Sequence, residues 1–394
     1  FDASAGDELA SSFQDVTLVD LSEGAEHARG VSVGFRPRGV QFSADGTAAF
    51  VNTEDGVSVV DLVAAVSGPV IARLVPVGDK LGEPLSNDVQ VTPDGRYAFA
   101  RREGDTSIRQ VDLESGDIVT LDLKSLQLAD SPPLDSDAGV IGGMLSSGPL
   151  DLSDMDLAPD GSEVLAVERK RGALLRIPVP EGFLDPTQIE IMQVLDQLVG
   201  QVSIAKNGAI AVLFTTVDAT ESVVLVDLVK GTTRGVRLRK GVRAVAFSDS
   251  GARALVLHTK VGQAGPGSSE EARIDASDGY SLIDTSSGFA KLQLTPAAMR
   301  SRDILVLDEP GKMFALLRND NQGVRSLEMA DLNSFQVTSL ALARPPSSIG
   351  LVPGLHRVFV GQENPGGMIT FLDSNSGAVA KAVSGFELAS RIRQ

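Results

Sequence analysis

The chain has 394 residues, with 35 basic and 52 acidic side chains and a formal net charge of -17 at pH 7. A field of this sign repels phosphate backbones, so the composition argues against a nucleic-acid partner. Cysteine is absent, which excludes disulfides, thiolate nucleophiles, iron–sulfur clusters and cysteine-ligated zinc. No apolar run approaches the about 18 residues that span a bilayer, so no transmembrane segment is predicted.

The first 14 residues predict a flexible tail, because FDASAGDELASSFQ is rich in small and polar side chains. A stretch of this kind is typical of the tether that follows a removed signal peptide or lipoprotein anchor. It favours export over a cytoplasmic location. Anchoring by lipid or another association with a surface remains an alternative to free secretion.

A strand, a tight corner and a second strand first appear at residues 38–62, RGVQFSADGTAAFVNTEDGVSVVDL. Val40 and Phe42 alternate with polar residues, which is the period-two signature of a strand buried on one face. Asp45 and Gly46 form the corner, since glycine adopts positive φ without a steric clash. The frame returns six more times, and its corner glycines are Gly46, Gly95, Gly161, Gly208, Gly251, Gly311 and Gly354.

A third strand with a similar tail closes most copies, and a more variable fourth strand follows it. Examples are SVVDL at 58–62, IRQVDLESG at 108–116, VVLVDLVKG at 223–231, YSLIDTSSG at 280–288 and ITFLDSNSG at 369–377. We name the four strands of each copy a, b, c and d. Four-stranded units that cannot cover both faces alone are stable in a radial array, so the repeat predicts an all-β propeller.

The PDG corner, the apolar strand after it and the (V/I)-x-V-(V/I)-D tail resemble the YVTN-type repeats of bacterial and archaeal β-propellers, a WD-like superfamily. The resemblance covers nearly the whole chain and is closest in the first three copies. It implies a seven-bladed propeller of four-stranded antiparallel blades over residues 15–394. Such propellers serve as surface proteins, binding modules and a few enzymes, so the resemblance and the N-terminal tail together favour a periplasmic, cell-surface or extracellular bacterial protein.

The blade number has an alternative. Residues 16–21, VTLVDL, have the form of a strand c tail, and residues 30–35 follow it as a strand d. This pair has no strands a and b of its own, so the frame predicts two more strands than seven blades use. An eight-bladed propeller is therefore the second interpretation.

Two segments interrupt the repeat, at residues 124–152 and 260–279. Both are rich in glycine, serine and proline and lack a clean period, so we expect long loops. Connections from d to a and from b to c lie on one face of a propeller, which places both segments on the same face. Long loops in a compact array are usually functional or disordered, and we expect these to become ordered with a partner.

A ring of side chains is predicted at the end of strand b, seven residues after each corner glycine. Its members are Thr53, Arg102, Glu168, Thr215, His258, Arg318 and Gly361. The mixed charge of Arg102, Glu168, His258 and Arg318 suits an anionic ligand or hydrolysis. The alternative is that these groups satisfy one another at a wet channel mouth.

A basic patch is predicted at neighbouring b-to-c corners, where the chain carries Arg101, Arg102, Arg169, Lys170 and Arg171. On a chain of negative net charge, such a patch could hold an acidic peptide or headgroup. The alternative is a pair of solvated hairpin tips. A further basic run, from Arg234 to Arg243, is expected to point outward from strand d and to discourage edge pairing.

No metal site and no cofactor are predicted. The acidic stretches at 135–137 and 275–279 lack the EF-hand spacing, and the three histidines lie in different copies or the tail. No nucleophile elbow, phosphate-binding loop or dinucleotide fingerprint is present. The first hypothesis is therefore a non-catalytic binding or scaffold module that recognises a protein or a cell surface. The rivals are a hydrolase resembling propeller lactonases and a structural subunit of a larger surface assembly.

Overall fold

A computed structural model describes residues 14–20, 27–68, 71–78, 88–102, 104–126, 151–194, 197–216, 220–295, 300–318, 324–352, 355–365 and 367–384. The chain forms two compact units, residues 1–202 and 203–394. In the described residues, the strands form eight antiparallel sheets, seven of four strands and one of two. The fold is all-β and consistent with a β-propeller.

The first unit holds the two-stranded sheet and three four-stranded sheets. The two-stranded sheet is β1 (Asp15–Asp20) and β2 (His27–Ser32). The next is β3 (Gly39–Phe42), β4 (Ala48–Thr53), β5 (Gly56–Asp61) and β6 (Arg73–Val75). It is followed by β7 (Asp88–Val91), β8 (Tyr97–Arg101), β9 (Ser107–Asp112) and β10 (Ile118–Asp122). The last is β11 (Leu152–Leu157), β12 (Glu163–Glu168), β13 (Ala173–Pro178) and β14 (Glu190–Gln193).

The second unit holds four four-stranded sheets, the first of which begins just before the unit boundary. That sheet is β15 (Gln201–Ile204), β16 (Ile210–Phe214), β17 (Ser222–Asp227) and β18 (Thr232–Arg237). The next is β19 (Val242–Phe247), β20 (Arg253–His258), β21 (Gly279–Asp284) and β22 (Ala290–Leu294). Then come β23 (Arg300–Leu307), β24 (Lys312–Arg318), β25 (Ser326–Asp331) and β26 (Val337–Ala341). The last is β27 (Pro346–Val352), β28 (Arg357–Gln362), β29 (Met368–Asp373) and β30 (Val379–Ser384).

The a-to-b corners owe their shape to a short polar motif. In the β7–β8 corner the Thr92 hydroxyl donates to Asp94 Oδ1 over 2.5 Å, and the same oxygen accepts the Arg96 N–H at 3.0 Å. Gly95 follows with φ of +73°, a conformation that side chains disfavour. Positive φ at Gly46, Gly161, Gly208, Gly251 and Gly311 confirms the corner prediction there. Gly354 lies outside the described residues.

Each hydrophobic core lies between two adjacent sheets. Phe99 and Ile108 of one sheet pack on Val164 and Leu175 of the next, and Phe183 closes this core. In the second unit, Tyr280 and Leu282 similarly pack against Met313 and Ala315 of the following sheet. Strands b and c of the sheet β7–β10 are apolar on both faces because the sheets before and after it in the chain both pack against it. The same holds for the sheet β23–β26.

Strand β3, the strand a of its sheet, is more exposed than the sequence predicted. Val40 and Phe42, expected to be buried, are 47% and 63% exposed. The two-stranded sheet β1–β2 packs on Ala49, Val51 and Val60 of strands β4 and β5. Since this sheet has no strands a and b, it leaves β3 uncovered.

Within the described part of the chain, three short helices interrupt the strands: α1 (Leu62–Ser67), α2 (Glu181–Leu184) and α3 (Glu270–Asp275). The 260–279 segment is therefore not a structureless loop. The Ser269 hydroxyl oxygen accepts the Ala272 N–H at 3.2 Å and so caps α3, while Ile274 is buried beneath it. The other interruption begins with a 3-10 turn at Leu123–Ser125, and residues 127–150 lie outside the described part of the chain. No helix in the described residues is long and apolar enough to cross a membrane.

Candidate functional site

The residue that ends strand b acts as a brace within its own sheet. Glu168 is completely buried at the end of β12. Its Oε1 accepts the Asp151 N–H at 2.9 Å, and its Oε2 accepts the Arg171 N–H at 2.5 Å. The carboxylate thus joins the segment before strand a to the turn between strands b and c.

His258 occupies the corresponding position at the end of β20. Its Nδ1 lies 3.1 Å from the Gly241 carbonyl oxygen, and its Nε2 lies 2.7 Å from Ser281 Oγ. A carbonyl only accepts, so Nδ1 carries the proton and the serine hydroxyl donates to Nε2. Burial lowers the pKa of His258 to about 4, which keeps the ring neutral at physiological pH.

Gln362 is the corresponding residue of the last sheet. Its Oε1 accepts the Arg344 N–H at 2.8 Å, and its side-chain amide donates to Thr370 Oγ1 at 2.5 Å. The sequence frame instead selected Gly361. Gln362 pairs with Pro346 at the same sequence separation as Glu168 with Leu152 and His258 with Val242, so this corner is not longer than the others. Gly354 stands one position earlier in the sequence of its corner than Gly161 and Gly251 do in theirs, so counting from the glycine falls one position short.

A β-bulge places these braces. Glu168, His258 and Gln362 lie opposite the first residue of strand a in their sheets, and each register shifts between that residue and the third. The extra residue of a bulge bends the strand and re-aims the backbone beside it. It thereby brings the segment before strand a within reach of the brace.

The other ring positions whose side chains are described are buried or half-buried. Thr53 is buried, and its hydroxyl donates to the Gly56 carbonyl at 2.8 Å. Thr215 is also buried, and Arg102 is half-buried. Arg318 ends β24, but its side chain is not among those described. Glu168 and His258, on which the hydrolase alternative depends, are thus occupied by contacts inside their own sheets.

Arg101 is not part of an exposed patch, and this expectation was wrong. Only 4% of its surface is exposed, and its Nε donates to Asp88 Oδ2 at 2.8 Å. Its Nη1 donates to the Leu152 carbonyl of the next sheet at 2.7 Å. The reason is that Arg101 still belongs to the ladder of β8, opposite Asp88 in β7. Its side chain therefore ties two neighbouring sheets together.

The other members of the basic patch lie at the surface or near it. Arg169 and Lys170 are exposed in the turn after β12, whereas Arg171 is half-buried. Only Arg169 and Lys170 thus keep the exposure that the sequence predicted for a binding corner. Their role in binding stays a proposal.

Asp154 is a half-buried acid that the sequence patterns did not single out. It lies in β11, and its Oδ2 accepts the Val202 N–H at 2.8 Å. Burial, reinforced by the nearby charge of Asp88, raises its pKa to about 6. The sequence signal for this acid was DMDL at 154–157, which places Asp154 on strand a, seven residues before the corner glycine. The first two copies have Gly39 and Asp88 at that position.

Lys240 was expected to point outward but is only 1% exposed. Its ammonium donates to the carbonyl oxygens of Ile274 at 2.6 Å and Asp275 at 3.0 Å. Burial lowers its pKa, and the carboxylates of Asp275 and Asp278 oppose this effect. The lysine thereby holds helix α3 against the loop that connects strands β18 and β19.

A cavity of about 430 Å³ lies beside helix α3 in the second unit. Arg239, Glu270 and Arg273 supply its charged groups, and Ile274, Leu292 and Leu294 supply apolar surface. The sequence predicted the insertion but not this cavity. Its walls come from three separate segments, and the first and last of them, at Arg239 and Leu292, are more than 50 residues apart in the chain. No local sequence pattern predicts that these segments meet.

Within the described residues, no group of three or more histidine, aspartate or glutamate side chains is arranged to hold a metal ion. The acidic stretch at 275–279 instead serves the helix. Asp275 ends α3, and its carbonyl oxygen accepts from Lys240 and from the Val261 N–H at 2.9 Å.

Comparison with known proteins supports the fold alone. No family model matches the chain, and no protein of established function matches it in sequence. The solved structure of dihydro-heme d1 dehydrogenase NirN in complex with DHE aligns with a TM-score of 0.55 and 14% identity, over 95% of this chain and 72% of that one. Hydrazine synthase of Kuenenia stuttgartiensis aligns with a TM-score of 0.40 and 13% identity, over 76% of this chain and 81% of that one. The first likeness is consistent with a β-propeller, and the YVTN resemblance stays one of sequence pattern.

Proposed function

We propose that this chain is a non-catalytic β-propeller that binds a protein partner through the surface around its 260–279 insertion. In this proposal the seven four-stranded sheets are the blades, and β1–β2 stands where a partial eighth blade would be. We also propose that the protein works in the periplasm or at the cell surface, in line with the YVTN-type repeats that its sequence resembles.

The observation that carries the proposal is the contrast between the ring residues and the insertion. Glu168 and His258 are buried and hydrogen-bonded within their sheets, so they have no surface on which a substrate could react. The insertion instead builds a helix next to a solvent-facing cavity, and it is fixed there by Lys240. A rigid element that presents charged and apolar side chains together is suited to recognition.

The dehydrogenase activity named for NirN is not part of this proposal. A likeness at 14% identity concerns the architecture, and propellers with one architecture serve many functions. The described histidines give no reason to transfer it. His258 is committed to Gly241 and Ser281, and His356 is exposed at a turn.

The test compares capture of a defined partner by matched variants. The partner is first identified by crosslinking the wild-type chain in native extract, and its binding is then measured with purified proteins. Deleting residues 263–267, all exposed, removes the tip of the insertion but keeps α3 and the Lys240 contacts. A second variant, Arg169→Glu with Lys170→Glu, reverses the exposed basic corner. Lys381→Glu, an exposed change on β30, is the control.

We expect the tip deletion to weaken partner binding at least about tenfold, or about 1.4 kcal/mol, while Lys381→Glu leaves it unchanged. Equal binding by the tip deletion and wild type would contradict the proposal. Hydrolysis of an ester or lactone by the wild type, lost in both Glu168→Gln and His258→Gln, would also contradict the proposal. The basic-corner variant decides whether Arg169 and Lys170 contribute to the same surface.

A further inference from the structure

The cavity beside α3 joins two guanidinium groups to an apolar floor. Arg239 and Arg273, both exposed, line it together with Ile274, Leu292 and Leu294, which are buried or half-buried. Arg239 Nη2 is 3.4 Å from Glu270 Oε1, and the two side chains are 60% and 78% exposed. An ion pair this exposed is worth under about 1 kcal/mol, so an incoming anion can replace Glu270. Arg273 has no ion pair among the described residues.

The walls of this cavity are held in place before any ligand binds. Lys240 holds the backbone of α3, and Ser269 caps the start of the helix. Leu292 and Leu294 lie on β22, in register with Ser281 and Gly279 of β21. Pre-formed walls reduce the entropy lost on binding, so a small ligand can bind with useful affinity.

We propose that the cavity binds a carboxylate carried on an apolar chain. A guanidinium presents paired N–H donors that match the two oxygens of a carboxylate. The leucine and isoleucine side chains can cover a chain of several carbons, which an inorganic anion does not have. The net charge of -17 repels anions from the rest of the surface, so the local pair of arginines selects where a carboxylate is held.

Two sources offer this chemistry: the C-terminus of a partner polypeptide that ends in an apolar residue, and a free medium-chain carboxylic acid. The inference rests on the proposed binding function, because it names the group that this surface recognises. It predicts that both the charge and the apolar chain of the ligand are needed.

The experiment is calorimetric titration of the full chain with four probes. They are the tetrapeptide Ala-Ala-Val-Leu with a free C-terminus, the same peptide as its C-terminal amide, octanoate and inorganic phosphate. We expect the free acid to bind at least about tenfold more tightly than the amide, and we expect no binding of phosphate. A stronger response to the peptide than to octanoate assigns the site to a polypeptide C-terminus, and the reverse order assigns it to a free acid.

Variants locate the binding in the cavity. Arg239→Gln and Arg273→Gln are each expected to weaken binding of the acid at least about fivefold, and Leu292→Ala to weaken it through the apolar chain. Arg237→Gln is the matched control, because Arg237 is exposed on β18 but does not line the cavity. Thermal melting of Leu292→Ala checks that the sheet still folds.

Equal binding of acid and amide, equal binding of phosphate, or no binding of any probe overturns the inference. These outcomes are separable from the proposed function. Partner capture that depends on residues 263–267 but not on Arg239 or Arg273 keeps the function and rejects the carboxylate site. Binding of the acid without any partner capture keeps the site and rejects the function.

Discussion

His258 Nε2 and Ser281 Oγ lie 2.7 Å apart in a buried hydrogen bond between strands β20 and β21. A serine and histidine at this distance could be read as an activated nucleophile. The burial of both side chains, with 2% and 1% exposed, rules out access by a substrate. Gln362 and Thr370 occupy the equivalent positions in the last sheet, where the glutamine amide donates to the threonine hydroxyl, which marks this pair as a structural feature of the repeat.

Replacing His258 by glutamine, the residue found at the equivalent position 362, should change how stability depends on pH. Burial lowers the pKa of His258 to about 4, below the 6.5 of an exposed histidine. The wild-type contribution is therefore complete above pH 6.5 and is lost as the pH falls towards 4, by about 3 kcal/mol at most. The variant should lose less stability over this range in urea unfolding. Ser281→Ala, which keeps the imidazole, should retain the wild-type slope, and an identical slope in His258→Gln would show that another group causes it.

Asp154→Asn should stabilise the chain at neutral pH. The pKa of Asp154 is raised to about 6 from 3.8, so its contribution is complete below pH 3.8 and is lost as the pH rises through 6. The cost of this half-buried charge at pH 7 is up to about 3 kcal/mol. Asparagine keeps an oxygen for the Val202 N–H, so we expect a gain at pH 7 that vanishes near pH 4, measured by urea unfolding.

Asp160 supplies a control of opposite sign. Hydrogen bonds from Ser162 lower its pKa, so its contribution is present above pH 3.8 and is lost as the pH falls through the folded-state value. Asp160→Asn should therefore lose stability at pH 7. A gain in both variants would indicate a general effect of removing negative charge from this acidic chain.

Glu168→Ala should destabilise the fold because it leaves two partly buried N–H groups, those of Asp151 and Arg171, without an acceptor. A fully buried unpaired group costs about 1–3 kcal/mol, and because these two are only partly buried we expect a loss of about 2–4 kcal/mol in the free energy of unfolding. Glu168→Gln retains one carbonyl oxygen and should lose about half as much. Hydrogen exchange at Asp151 and Arg171 gives a local measurement. Unchanged exchange in the alanine variant would contradict the bracing role.

Phe335 occupies a turn position that glycine holds in other copies, and it adopts a φ of +57°. The Phe289 ring lies 5.4 Å from it in an edge-on contact, and the Arg253 guanidinium lies 5.7 Å from its centre. Packing thus compensates for backbone strain of about 1–2 kcal/mol. Both Phe335→Gly and Phe335→Ala should lower the melting temperature. The alanine variant should be less stable than the glycine variant by about 1 kcal/mol in the free energy of unfolding, because alanine retains the backbone strain. Equal melting temperatures would show that the turn is unstrained.

The repeat pattern alone was sufficient for the local structure. The Asp-Gly corners, the VDL tails and the N-terminal pair of strands all have the form that the sequence predicted, because turn geometry and strand alternation are set by neighbouring residues. A terminal pair without strands a and b was also visible in the sequence, and it explains why Phe42 is exposed. The one-residue error at Gly361 arose because the glycine of that corner stands one position earlier than in the other copies.

The use of each polar side chain was decided only in the tertiary structure. Arg101 reaches Leu152, 51 residues away, and Lys240 reaches Ile274, 34 residues away. A basic residue near a hairpin looks the same in sequence whether it faces water or a neighbouring carbonyl oxygen. The strand period fixes which residues share a face, whereas packing of the next sheet or of an inserted helix determines whether that face is covered.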